Sequence, residues 1–138
     1  MNKIITPFLV LTMMLTSYGA VSARQKDMLM RISEIEIVPG YLDEYKAILK
    51  EESAASVKLE PGVIAIFPMF EKENPTQVRI LEIYASREAY ESHLKTPHFQ
   101  KYKTTTLKMV KSLRLVDMEA VDAESMTRIF KKMKRGKR

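Results

Sequence analysis

The spacing of apolar residues changes repeatedly along the chain, and each change marks an element. Met28 to Val38 (MLMRISEIEIV) is β-branched, partly alternating and closed by Pro39-Gly40, which predicts a strand. From Tyr41 to about Leu59, the residues Leu42, Tyr45, Ile48, Leu49, Ala55 and Leu59 share one face at the roughly 3.6-residue period of a long helix, which Pro61-Gly62 stops. Val63 to Phe70 (VIAIFPMF) is almost continuously apolar. That reads as a strand covered on both faces, although Pro68 argues for an edge or a bulge. The turn ENPT, Glu73 to Thr76, leads into Gln77 to Ala85 (QVRILEIYA), the second strand of the same hairpin. Ser86 caps a short helix to Lys95, Thr96-Pro97 starts another running to about Val110, and Leu113 to Val121 (LRLVDMEAV) is the last strand.

The order β-α-β-β-α-β, with its second helix broken in two, is the split βαβ arrangement of an α+β domain. A four-stranded antiparallel sheet with helices on one face leaves the other face bare. On that face the pattern expects Ile32, Val63 or Ile64, Ile80 and Val116, too apolar for water. A second copy packed sheet against sheet is the economical cover, so a homodimer is expected.

The ends of the chain change this picture in two ways. Residues 1–23 (MNKIITPFLVLTMMLTSYGAVSA) carry one lysine, an apolar run spotted with Pro7 and hydroxyl residues, and small residues at Val21 and Ala23. That is the layout of an export signal cleaved near Ala23, giving a periplasmic or secreted protein; a retained membrane anchor is the other reading. The body then spans 24–122, one domain by length, with an amphipathic helix and basic tail over 123–138. The formal charge of +6 resides largely in that tail: KKMKRGKR holds six basic residues and no acid, and the body is close to neutral. A nucleic-acid module is therefore not expected. In the tail helix Met126, Ile129, Phe130 and Met133 fall on one side. They are expected to pack on the body or the other subunit, or to make weak contact with an anionic membrane surface. The chain has no cysteine, which excludes a thiolate nucleophile and a thiolate metal site.

Candidate chemistry concentrates in few residues. On a helical wheel over Ser86 to Lys95, His93 lies with Ala89, Tyr90 and Leu94 on the inward arc, as a core residue or as a base. His98 falls in the first turn after Pro97, where the helix dipole disfavours a protonated imidazole, and is expected to make surface or interface hydrogen bonds. The two histidines are five residues apart across a helix break with no third histidine, so no metal is expected and the two imidazoles read as separate cases. Glu52 sits in the apolar arc of the first helix, either buried with an altered pKa or reaching past the helix edge. Val78, Ile80, Glu82 and Tyr84 share a strand face, which puts Glu82 in a pocket or across the dimer interface.

The segments PGYLDEYK and LEIYAS, and above all AYESHLKTPHFQKY, resemble the antibiotic biosynthesis monooxygenase family, especially its quinol monooxygenase branch. The resemblance runs from about Met28 to Val121. It implies a dimeric ferredoxin-like fold (a dimeric α/β barrel) and oxygenation of aromatic substrates by O2 with no metal, flavin or other cofactor. It carries His93 over as a site residue, Glu82 and Tyr84 at the E-x-[WY] positions, and His98 as the second histidine of the run. A heme-degrading branch of similar fold needs an asparagine, a tryptophan and a heme-ligating histidine where this chain has Ser33, His93 and about Lys103. Heme degradation is therefore not implied.

In a cofactor-free reaction an imidazole of pKa about 6.5 must deprotonate a phenol of pKa about 10, a gap of about 4.8 kcal/mol that the pocket must offset by stabilising the phenolate, for instance with the Tyr84 hydroxyl. His93 is the expected base, with Glu52, Glu82, Tyr84, His98 and Ser33 around the substrate. A small-ligand isomerase with His93 and Glu52 or Glu82 as acid and base, and a ligand-binding dimer without turnover, are the alternatives.

Overall fold

The computed structural model describes residues 27–135. Strand β1 (Leu29–Ile37) buries alternate residues, Leu29, Arg31, Ser33, Ile35 and Ile37, as the period of two requires. A 3-10 turn at Pro39–Tyr41 leads into helix α1 (Leu42–Leu59), so the helix begins one residue later than its apolar pattern suggests. The hairpin strands are β2 (Val63–Phe70) and β3 (Gln77–Tyr84). Helices α2 (Arg87–His93) and α3 (Pro97–Thr106) follow, then β4 (Val110–Met118) and α4 (Glu124–Arg135). Helix α3 ends and β4 begins earlier than expected. The reason is a bulge at Glu36/Ile37, beyond which Ile37 pairs with Val110 and the Val38 amide donates to the Met109 carbonyl, drawing those residues into the sheet.

The sheet order is β2-β3-β1-β4, with every pairing antiparallel. Together with the helices this is the ferredoxin-like α+β architecture that the element order implies. Strand β2 lies at an edge, where Pro68 costs no ladder bond, and it is not covered on both faces: Phe67, Met69 and Phe70 remain exposed.

Register assigns each residue to a face. Ile35, Ile37, Val78 and Ile80 meet Tyr45 and Leu49 of α1 in one apolar cluster, with Tyr102 of α3 against it. Burying each such side chain contributes about 1.5–3 kcal/mol. Ile80 therefore faces the helices, opposite Ser33, and not the bare side; Val63 also turns inward, onto Leu29 and Tyr84. The open face instead aligns Ile32 with Leu81 and Val116, and sets Phe67 opposite Leu81. At the start of β2 a methyl group on Gly62 would meet the Ala89 side chain at 2.6 Å, so glycine lets the hairpin approach α2 closely.

Helix α4 leaves its apolar stripe exposed, with Ile129 and Met133 more than half accessible, so it does not pack that side on the body. The predicted leader, 1–23, lies outside the described residues. Among the described residues no helix is long and apolar enough to cross a membrane.

Candidate active site

Between the covered sheet face and the helices lies a cavity of about 380 Å3. Its walls are mostly apolar, and Ser33, Glu52, Glu82, Tyr84 and His93 are among the polar groups set between Leu49, Phe99 and others, with Arg31 and Lys103 as cations in the lining. Helix α3 stops short of β4, and at that open side Leu107, Leu113 and Leu115 form an exposed apolar rim. The volume falls within the range of small-molecule sites, about 300–1,000 Å3.

His93 is the last residue of α2, and the sequence around it fixes where it points. Ser86 caps α2 by accepting from the Ala89 amide, and the Thr96 hydroxyl donates to the His93 carbonyl while accepting from the Phe99 amide at the start of α3. Pro97 occupies the first turn of α3, where its missing N–H costs nothing. The imidazole is 97% buried, with its ring 4.7 Å from Phe99 and 5.4 Å from Tyr84. Nδ1 lies 3.0 Å from Glu60 Oε1, while Nε2 lies 3.7 Å from Glu52 Oε1. His98 Nε2 reaches the same Glu60 oxygen at 2.5 Å.

Glu60 thus receives both imidazoles. Burial pushes its carboxyl up, but the hydrogen bonds from His93 and His98 and their nearby charge win, holding it below the ordinary carboxylate range. Glu52 responds the other way. It is buried, and that desolvation raises its carboxyl even though the Ser56 hydroxyl donates to it at 2.7 Å and the imidazoles oppose the shift.

A second carboxylate centre sits on the sheet. Glu82 accepts from the Ser33 hydroxyl through one oxygen and from the Tyr84 hydroxyl, at 2.8 Å, through the other. Burial, followed by the charge of Glu82, pushes the Tyr84 phenol well above its usual value. Nearby, Tyr45 and Tyr102 share a hydrogen bond of 2.7 Å, and burial pushes Tyr102 up to about 12. Arg31 completes this wall as a buried guanidinium: Nε donates to Asp117 at 2.7 Å, and the group lies 4.5 Å from the Tyr90 ring centre.

The structure therefore brings Ser33, Glu52, Glu82, Tyr84 and His93 onto one cavity, and sets His98 behind His93 on Glu60. One expectation is corrected: the histidines are not separate cases, because the Thr96-Pro97 turn swings both onto one carboxylate. Two open alternatives are decided: Glu82 lines the cavity on the helix-covered face rather than an interface between sheets, and Glu52 is buried rather than reaching past the helix edge. In addition, the Tyr84 hydroxyl is committed to Glu82 and is not a free donor toward the cavity.

Glu60 and Arg31 were not anticipated. Glu60 caps the C-terminus of α1, where the helix dipole disfavours an acid, so an acid just before Pro61 already signals a cationic partner. Arg31 shares the buried face of β1 with Ser33 by the period of two.

The profile of the family described as antibiotic biosynthesis monooxygenase matches residues 28–105. A solved structure from Bacteroides thetaiotaomicron, described as a candidate antibiotic biosynthesis monooxygenase, is 49% identical with a TM-score of 0.70, over 71% of this chain and 93% of that one. A candidate monooxygenase from Lactobacillus acidophilus is 30% identical with a TM-score of 0.66, over 67% of this chain and 44% of that one. A further structure from Caulobacter crescentus shares the fold at 18% identity and a TM-score of 0.66, over 75% of this chain and 99% of that one. No match was found among curated proteins. With the split βαβ sheet, a cavity under its helices and a profile match from β1 through most of α3, the chain belongs to the antibiotic biosynthesis monooxygenase family.

Proposed function

We propose that the chain is an exported, cofactor-independent monooxygenase of small aromatic substrates of the quinol and anthrone type, with His93 as general base. The observation that carries this reading is the orientation of one imidazole. Its Nδ1 is held on Glu60, so Nδ1 keeps the proton and Nε2 presents a lone pair at the wall of an apolar cavity. A carboxylate behind an imidazole favours the imidazolium formed when Nε2 takes a proton.

The substrate hydroxyl gives its proton to Nε2, and the resulting anion supplies the electrons to O2. One oxygen atom enters the substrate and the other leaves as water with two of its hydrogens, so that a hydroquinone and O2 give a hydroxyquinone and water. The deprotonation gap of about 4.8 kcal/mol is offset by the cations lining the cavity, Arg31 and Lys103, in place of the Tyr84 hydroxyl. Glu52, Glu82 and Ser33 orient the substrate's polar groups, and His98 steadies Glu60.

The apolar strip around Ile32, Leu81 and Val116 supports a homodimer closed over the open face, and the signal-like residues 1–23 support export. Oxygen uptake by the purified chain with a panel of hydroquinones and anthrones tests the reading. Substrate-dependent uptake is expected, and uptake undiminished in His93→Ala would sink the assigned base.

The pairing of His93 with Glu52 at 3.7 Å favours a second reading, proton shuffling in an isomerase. Exchange of an α-proton of a bound carbonyl compound without oxygen consumption is the outcome that selects it.

A further inference from the structure

We infer that Glu60, His93 and His98 form a binding site for one divalent transition metal of the zinc class, set directly behind the cavity wall. The chain has two histidines and no cysteine, so its nitrogen donors for such an ion are these two side chains, and both converge on one carboxylate. One ligand atom from each of the three residues lies within 4.8 Å of the others, and the nitrogens that face Glu60 are Nδ1 of His93 and Nε2 of His98. Ligands at about 2.1 Å from a tetrahedral zinc stand about 3.4 Å apart. The contacts of 3.0 Å and 2.5 Å to Glu60 Oε1 therefore need to open by about 1 Å or less, a movement within reach of side-chain torsions.

Two imidazoles and one carboxylate suit zinc, cobalt or iron, and are the wrong donors for magnesium or calcium, which take oxygen. A carboxylate also stands close to where the outer partner of a metal-bound histidine is needed, a small movement short of hydrogen-bond distance. With Nδ1 on the metal, His93 carries its proton on Nε2, which faces Glu52 Oε1 at 3.7 Å, the carboxylate–histidine–metal order. The remaining coordination position falls to water, because His98 and Glu60 are partly accessible.

The site has a consequence for catalysis that rests on the proposed role of His93. A metal on Nδ1 turns Nε2 from acceptor into donor, so the loaded protein loses its base. Metal then acts as an inhibitor rather than as a cofactor.

The test is titration of the metal-free full chain with Co2+, read by the intense visible bands of low-coordinate cobalt, with Zn2+ as competitor. One Co2+ per chain, displaced by Zn2+, is expected. Binding should weaken at least about 100-fold in both His98→Ala and Glu60→Gln, with circular dichroism showing each variant folded. A cobalt spectrum unchanged from that of the aqueous ion, or binding retained in both folded variants, overturns the site. Oxygen uptake is measured separately: loss on adding Zn2+ and recovery with chelator support the inhibitory role, and uptake unchanged by saturating Zn2+ overturns it. A chain that binds Co2+ but consumes no oxygen upholds the site while removing the monooxygenase reading.

Discussion

Two carboxylates serve this cavity in different ways. Glu82 is held by hydroxyls, those of Ser33 and Tyr84, on the rigid central strands β1 and β3. Glu60 is held by imidazoles at the corner where α1 ends and α2 turns into α3. The hydroxyl donors keep their protons through the neutral range, and burial drives Tyr84 still further from giving its proton up. An imidazole has two nitrogens, so one can donate to a carboxylate while the other accepts a proton. The difference suits them to different work: the Glu82 centre holds its hydroxyls in place, and on the proposed reading the Glu60 centre is the one that moves protons. A site that needs both a stable wall and a base gains by placing them on different elements, since the turn between α2 and α3 can adjust without disturbing the sheet.

The largest expected effect follows from removing the imidazole. His93→Ala should lower oxygen uptake by about 10²–10⁴-fold, the range for a general base, while Ser33→Ala at the hydroxyl centre costs less than about 10-fold. Equal losses in the two variants would break the comparison. Glu60→Gln comes next. Its amide oxygen still accepts from Nδ1, but the charge that favours the imidazolium is gone, so kcat should fall about 10- to 100-fold with KM little changed. A change confined to KM would place Glu60 in binding instead.

How far this division was legible in the sequence depended on whether the signal was periodic. Alternation along β3 put Glu82 and Tyr84 on one face with Val78 and Ile80, and the helical period put His93 inward and Glu52 in the apolar arc of α1, whereas Ser33 entered only through the family resemblance. The meeting of the two histidines was not legible. Their spacing of five across Thr96-Pro97 carries no period, and their common partner, Glu60, is more than thirty residues away. Such a contact is set by how α1 packs against α3, a tertiary fact. The bare-face assignment of Ile80 failed for a related reason: inward and outward are relative to the helices, and the register with Ser33 decides them. The exposed stripe of α4 was legible as a stripe, but its partner was not.

At the hydroxyl centre the expected effects are on stability. Tyr84→Phe leaves one oxygen of Glu82 without its donor, and urea denaturation should report a loss of about 1–3 kcal/mol at neutral pH. Ser33→Ala should lose a comparable or smaller amount, because Ser33 is shorter and buries less when intact. If neither variant is destabilised, the hydroxyls are incidental and Glu82 is free to take part in proton transfer.

The smallest effect is the pH dependence of that same centre, and its sign is fixed. The Tyr84 phenol is raised in the folded chain by burial and by Glu82, whereas in the unfolded chain it ionises near pH 10. Above about pH 10 the folded state therefore holds a proton that the unfolded state has lost, and stability falls as pH rises, by at most about 1.4 kcal/mol per pH unit for this group. Tyr45, raised by burial, and Tyr102, pushed up to about 12, add to the same slope. Denaturation midpoints between pH 9 and 11, a range chosen to bracket the free phenol at about 10, should fall less steeply in Tyr84→Phe than in the parent chain. In His93→Ala the slope should be unchanged, because that substitution leaves all three phenols in place. A Tyr84→Phe curve parallel to the parent's would mean that Tyr84 ionises within the folded protein, and the hydroxyl centre would then be a second proton carrier rather than a fixed wall.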